Sequence, residues 1–274
     1  MALFVNTAAY GYYPVSVVTD PFPSTLNMGL IARYEVTNIN SYSGTGNVLN
    51  NLSTSSLYST SSTATVFSAS VISAVDGIVL NGSSSRIDVG IISTYASGSY
   101  VLNSAISASN EFTIAYLSNL SGSLVNNTNV GLSAWSDNAD GYLYLGERTN
   151  SANNIFQALR SSTSYNNVNN GGYYIPNSDK LYGTQFKFGT NNWKLWQGAA
   201  TFGSRTAVGT VFDSAVVKKA PWTFGTRQTT NLGIFYSRYW KGPVWAMYMW
   251  DRALSDSEMS ELQTYLNTYV KPNS

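Results

Sequence analysis

Residues 230–272 read TNLGIFYSRYWKGPVWAMYMWDRALSDSEMSELQTYLNTYVKP, and this stretch decides the fold. Gly233 to Tyr239 and Val244 to Trp250 are aromatic and β-branched runs of strand length, parted by the turn signal Lys241-Gly242-Pro243. Ser255 then opens a helix. Its hydroxyl can accept from free backbone N–H groups, and Glu258 can reach back to the Ser255 amide, which makes a capping box. Leu254 and Met259 flank the cap as a hydrophobic staple. Met259, Leu262, Leu266 and Tyr269 follow as one apolar stripe at helical spacing, and Pro272 lies just past the end. The chain closes as strand, turn, strand and short capped helix.

Gly242, a hydrophobic strand and then Asp251-Arg252-Ala253-Leu254-Ser255-Asp256-Ser257-Glu258 resemble the closing signature of laminin-G-like domains, of the concanavalin A-like lectin/glucanase superfamily. Two upstream pieces agree. Asp76-Gly77-Ile78-Val79-Leu80-Asn81-Gly82-Ser83-Ser84-Ser85-Arg86-Ile87-Asp88-Val89 is similar to that group's strand, D/N-G-S, strand hairpin. Lys194-Leu195-Trp196-Gln197-Gly198 is similar to its later hairpin. The matches run from about Met28 to Val270. The resemblance implies an all-β fold: a two-sheet antiparallel jelly-roll sandwich closed by one short C-terminal α-helix.

Bulk composition narrows the chemistry. The 274 residues could hold one large β domain or two small ones. Charged residues make up 11% of the chain, against roughly 25% in an average soluble domain, so Ser, Thr, Asn and Gly must carry its solvation. The net charge is +1 with no Lys/Arg cluster, which argues against a nucleic-acid partner. There is no Cys, hence no disulfide and no thiolate zinc site. There is no His, hence no Ser-His or Cys-His nucleophile pair. No run approaches the roughly 18 apolar residues of a membrane span. Met1 to Ser16 lacks a basic n-region and a long apolar core, so it does not read as a secretory signal.

Residues 1–26 read as an extended N-terminal arm, with residues 27–274 as the jelly-roll domain. Tyr10, Tyr12, Tyr13, Pro14 and Phe22 are the candidate attachment residues. Proline blocks central-strand pairing and favours extended backbone. The other reading is a first edge strand of the same domain with a loose tail. Asn38 to Ser62 and Ser161 to Gly172 read as Ser/Asn/Gly-rich loops, and Ala64 to Ala74 as a strand. Glu111 to Leu117 alternates Phe112, Ile114 and Tyr116 as a core strand. Turn signals recur about every ten residues, as in a sandwich.

The superfamily contains glycosidases, but the Glu-x-Asp-x-Glu strand of its glucanase branch is absent. Gln185-Phe186-Lys187-Phe188-Gly189 resembles a polyuronate-lyase strand, yet that branch uses a catalytic His. Glu111 and Glu147 each stand alone, and Glu258 and Glu261 belong to the helix. We therefore expect no catalytic residues.

Asp137 and Asp140, in a Gly-terminated turn, read first as an ordinary Asx turn, and the pattern can also bind calcium. Tyr165, Tyr173 and Tyr174 lie among Asn, Ser and Gly and suit carbohydrate binding; the same residues suit a subunit contact. Trp135 fits either a ligand face or the core. Trp193, Trp196, Trp240, Trp245 and Trp250 fall on expected strands and read as core. Asn51, Asn81, Asn119 and Asn126 begin glycosylation sequons, which arise by chance in an Asn/Ser-rich chain.

The expected function is attachment and recognition without catalysis. We expect a virion surface protein of phage type, such as a head decoration, head fibre or tail adhesin. Its arm would dock on capsid or tail proteins, its jelly roll on cell-surface glycans, and homo-oligomerisation is expected. The alternatives are a secreted bacterial carbohydrate-binding module and a glycan-cleaving enzyme.

Overall fold

The computed structural model describes residues 3–5, 13–15, 20–53, 63–89, 111–119, 132–135, 141–148, 154–161, 165–173, 180–187, 192–197, 200–206, 222–229, 235–237 and 239–271. Its strands are β1 (Leu3–Val5), β2 (Tyr13–Val15), β3 (Leu30–Glu35), β4 (Val48–Asn50), β5 (Thr63–Phe67), β6 (Val71–Ser73) and β7 (Gly77–Asn81). Then come β8 (Arg86–Val89), β9 (Glu111–Ser118), β10 (Leu132–Trp135), β11 (Gly141–Arg148), β12 (Asn154–Ser161), β13 (Tyr165–Tyr173) and β14 (Lys180–Lys187). The last are β15 (Asn192–Gln197), β16 (Ala200–Thr206), β17 (Trp222–Phe224), β18 (Arg227–Thr229), β19 (Phe235–Ser237) and β20 (Lys241–Trp250). Among the described residues the α-helices are α1 (Ser24–Asn27) and α2 (Asp256–Tyr265).

Two eight-stranded antiparallel sheets form the body. The first runs β13-β12-β11-β10-β17-β8-β5-β4, and the second β16-β15-β14-β9-β20-β7-β6. β3 also pairs with β20, beside residues Ala246 to Trp250, whereas β7 pairs with Lys241 to Val244. The β20 sequence is almost continuously apolar because both of its faces are covered. Met247 stands opposite Tyr116, whose ring meets Phe224 of the first sheet edge-on at 4.8 Å. Tyr248 and Trp250, on the other face, share a buried cluster with Met259, Leu262 and Leu266. Each buried Trp removes about 200 Å² from water, on the order of 5 kcal/mol of transfer free energy before entropy.

Sequence order thus produces three layers: sheet, sheet and helix. The C-terminal helix does not seal the gap between the sheets, as the closing signature suggests. It roofs the far face of the second sheet. The capping box is present: the Glu258 amide donates to Ser255 Oγ at 3.3 Å, and the Ser255 amide to Glu258 Oε2 at 2.7 Å. Leu254 and Met259 are both fully buried. The apolar stripe departs from expectation at its end. Residues Leu266–Val270 form a π turn, with the Lys271 amide donating to Leu266 O at 2.8 Å. The wider turn rotates Val270 inward, 2% exposed, and leaves Tyr269 55% exposed.

The stretch expected as an arm, residues 1–26, enters the core at its end. Phe22 and Leu26 are buried in the cluster beneath the helix, so Phe22 is a core residue and not an attachment residue. The apolar side chains on either side of Pro23 fill a slot that the helix and sheet leave open, and polar clasps hold the backbone there. Trp250 Nε1 donates to Leu26 O at 2.7 Å and Arg252 Nε to Met28 O at 2.6 Å. Gly29 closes the strap at φ 71° against the Asp251 carboxylate, where a side chain would collide. Upstream, β1 and β2 pair as an antiparallel hairpin with Leu3 opposite Val15. Tyr13 and Pro14 lie in β2; Tyr10 and Tyr12 lie outside the described residues.

One loop assignment and one strand assignment are corrected. Tyr165–Tyr173 is a strand, not part of a loop, and pairs along β12 at the sheet edge. Its Asn and Gly have poor strand propensity, and the ladder with one neighbour supplies the order instead. The stretch expected as one strand from Ala64 to Ala74 is two, β5 and β6, in different sheets. Positive φ at Ser68 lies between them.

Candidate functional site: the far face of the first sheet

The first sheet has one face in the core. Leu49, Ala64, Val66, Ile87 and Phe224 lie there and are at most 2% exposed. Alternate residues belong to the opposite, far face, turned away from the second sheet. Register carries that face across the sheet. Thr65, Asp88, Thr223, Ser133 and Tyr144 stand opposite one another on five successive strands. Two residues along, Trp135, Tyr142, Arg160 and Tyr165 form a second row on β10, β11, β12 and β13. With strands about 4.8 Å apart, this row spans roughly 14 Å.

Two expected sugar-binding residues, Trp135 and Tyr165, are thus brought into one row. Tyr173 stands opposite Asn154, which faces Arg148. That places it six residues along β11 from Tyr142, roughly 20 Å away. Tyr165 and Tyr173 are therefore the two ends of one strand and not neighbours in a loop. Tyr174, Asp137 and Asp140 lie outside the described residues. Among the described residues, no three acidic groups converge as a metal site would require.

Sequence reasoning missed Tyr142, Tyr144 and Arg160. The signal was present in Tyr142-Leu143-Tyr144-Leu145, where aromatic and aliphatic residues alternate: one face for the core and one for the outside. Trp196, Trp240, Trp245 and Trp250 are buried, as expected of core residues.

The charge on the far face is also set by register. Arg86, Arg148 and Arg160 fall on it, and Asp88 is its one acid among the described positions. Asp88 is 3% exposed. Arg86 Nε donates to its two oxygens at 3.1 and 3.2 Å, and the Arg86 guanidinium lies 4.0 Å from the centre of the Phe67 ring. Burial pushes the Asp88 carboxyl up to about 6, against the opposing pull of Arg86.

Of the remaining candidate acids, Glu111, Glu258 and Glu261 have structural partners. Glu111 accepts from the Ala253 amide at 3.2 Å. Glu147 is paired through its backbone with Ile155, and its side chain lies outside what is described. Glu258 caps α2 and pairs with Arg252 at 2.7 Å. Burial raises the Glu258 carboxyl, but Arg252 and the Ser255 cap outweigh this and hold it below its ordinary value. Glu261 accepts from the Thr25 hydroxyl at 2.5 Å. The Asn51 and Asn81 sequon amides donate to Ile31 O and Ser68 O at 2.9 and 3.2 Å.

Comparison with known proteins identifies the fold and no more. No family model matches the chain, and no curated protein matches it. Among solved structures, the chain is similar to domain 4 of AbnA, a GH43 extracellular arabinanase from Geobacillus stearothermophilus, solved in complex with arabinotriose. There the TM-score is 0.55 at 13% identity, covering 85% of this chain and 98% of that one. It is also similar to the CBM40 module of the IT-sialidase of Ruminococcus gnavus, with TM-score 0.52 at 14% identity, covering 69% and 96%. A Trypanosoma rangeli sialidase matches with TM-score 0.59 at 13% identity, covering 91% of this chain but 34% of the sialidase. The β-sandwich is shared with carbohydrate-binding domains.

Proposed function

We propose that this chain is a non-catalytic glycan-binding module whose ligand lies along β10 to β13 on the far face of the first sheet. One observation carries the reading: Trp135, Tyr142, Arg160 and Tyr165 stand in one row across four neighbouring strands. Aromatic rings stack on the C–H faces of sugars, and the amides at Asn167 and Asn169 of β13 suit hydroxyl recognition. A row on paired strands is also better preorganised than a loop. The complex of the similar arabinanase domain with arabinotriose supports the ligand class. The structural partners of Glu111, Glu258 and Glu261, with the lack of His and Cys, favour binding over catalysis.

The module is displayed outside the cell. Its low charge and Ser/Asn/Gly content favour a virion surface, with residues 1–19 docking on capsid or tail proteins. A secreted bacterial carbohydrate-binding module is the alternative. A glycan array tests the function: the protein retains at least one glycan and releases no reducing ends from it. Failure to retain any glycan refutes the binding role, and turnover refutes the non-catalytic one.

A further inference from the structure

We propose that two copies of this chain exchange their straps, so that residues 20–27 of each fill the slot beneath the C-terminal helix of the other. The strap doubles back over β3. Asp20 reaches Arg33 at 2.9 Å, and Phe22 stacks on Tyr248 with ring centres 6.0 Å apart. At its other end the Leu26 carbonyl accepts from Trp250 Nε1 at 2.7 Å, and Trp250 stands opposite Leu30, the first residue of β3. Only Met28 and Gly29 lie between α1 and β3. Gly29 makes the reversal at φ 71°, and Met28 is left 67% exposed at the turn. The contacts that seat the strap come from before this hinge. Phe22 and Leu26 are buried, Thr25 Oγ1 donates to Glu261 Oε2 at 2.5 Å, and Arg252 Nη2 donates to the Thr25 carbonyl at 3.1 Å. A strap from a second copy makes the same contacts, so exchange changes the hinge alone. The slot cannot stand empty: Arg33, 1% exposed, is covered by the Phe22 ring at 4.1 Å. A two-residue hinge favours the exchanged form. Straightening it frees Gly29 from positive φ, and the two hinges then pass each other about a twofold axis, which covers Met28.

The chain has no Cys, so two introduced thiols report which copy supplies the strap. Thr25→Cys combined with Glu261→Cys puts them at the two ends of one side-chain contact, and a short bis-maleimide joins them in the folded protein. The products are separated by mass under denaturing conditions, and the joined peptides are identified by mass spectrometry. Exchange predicts the link between positions 25 and 261 in a species of twice the chain mass. Dilution just before treatment should leave that fraction unchanged, which separates a standing exchange from random collision. A short Gly/Ser insert between Met28 and Gly29 should move the link back into single chains, because a longer connection reverses without constraint. A link confined to single chains in the parent double variant overturns the proposal, as does a dimer fraction that falls on dilution. A link that stays between chains despite the insert contradicts the hinge as its cause. Absence of the link from both species shows that residues 20–27 do not occupy the slot, and overturns it as well.

Discussion

Asp20 forms a two-toothed ion pair with Arg33, with Arg33 Nη1 2.5 Å from Oδ2 and Nη2 2.9 Å from Oδ1. Arg33 is 1% exposed and its Nε also donates to Glu35 Oε1 at 2.7 Å. Tyr248 and Tyr265 donate to Glu35 at 2.8 and 3.0 Å, and the Phe22 ring covers the guanidinium at 4.1 Å. The strap that leads into the domain, the sheet and the C-terminal helix meet in this one polar knot.

Removing Asp20 leaves Arg33 with Glu35, so the charge is not orphaned. Asp20 is also half exposed, which places its worth between a surface pair and a buried one. Asp20→Ala is expected to destabilise the fold by about 1–2 kcal/mol, read as a shift in the urea midpoint. Burial raises the Asp20 carboxyl, but the Arg33 hydrogen bond and charge and the Phe22 amide together hold it below its ordinary value. Its contribution is therefore present above about pH 4 and lost as pH falls further. An unchanged midpoint would show that the strap does not depend on this pair.

Asp88 gives the opposite pH dependence. Its carboxyl titrates at about 6 in the fold and near 3.9 in the unfolded chain. The folded state thus holds the extra proton between those values, and stability falls as pH rises from about 4 to about 6. Lowering the pH from 7 to 5 should raise wild-type stability by about 1 kcal/mol from this group. Asp88→Asn should flatten that gradient. A gradient that persists in the variant would assign it to other groups.

The π turn makes a test of helix register. Val270→Ala removes a buried side chain and should cost roughly 2 kcal/mol. Tyr269→Ala loses only a tilted stacking contact with Tyr265 at 5.5 Å and should cost under about 1 kcal/mol. The reverse order would indicate that the helix continues as a regular α-helix to its end.

The end of the chain was legible because its signals are local. Ser255 and Glu258 cap each other across three residues, and Leu254 and Met259 staple the same turn. The knot at Arg33 was not legible beyond the local Glu35, because Asp20 lies 13 positions from Arg33, and Tyr248 and Tyr265 lie 213 and 230 positions from Glu35. Pro21 and Pro23 suggested an extended arm, yet Phe22 and Leu26 already carried the apolar character of a core strap. At the site, Trp135 and Tyr165 were recognisable by type. Their neighbourhood with Tyr142 and Arg160 depends on the registers of three antiparallel pairs, which one-dimensional patterning does not fix. Asn-rich β13 was misread as loop because its order comes from the ladder with β12.

The most direct test of the binding face is an affinity titration of the best-retained array glycan into wild type, Trp135→Ala, Tyr142→Ala and Tyr269→Ala. Loss of a stacking ring from the row should weaken binding at least about 10-fold in each of the first two variants. Tyr269→Ala, changed beyond the opposite sheet, should bind as wild type does. Wild-type affinity in both row variants would contradict the assignment of the far face as the site.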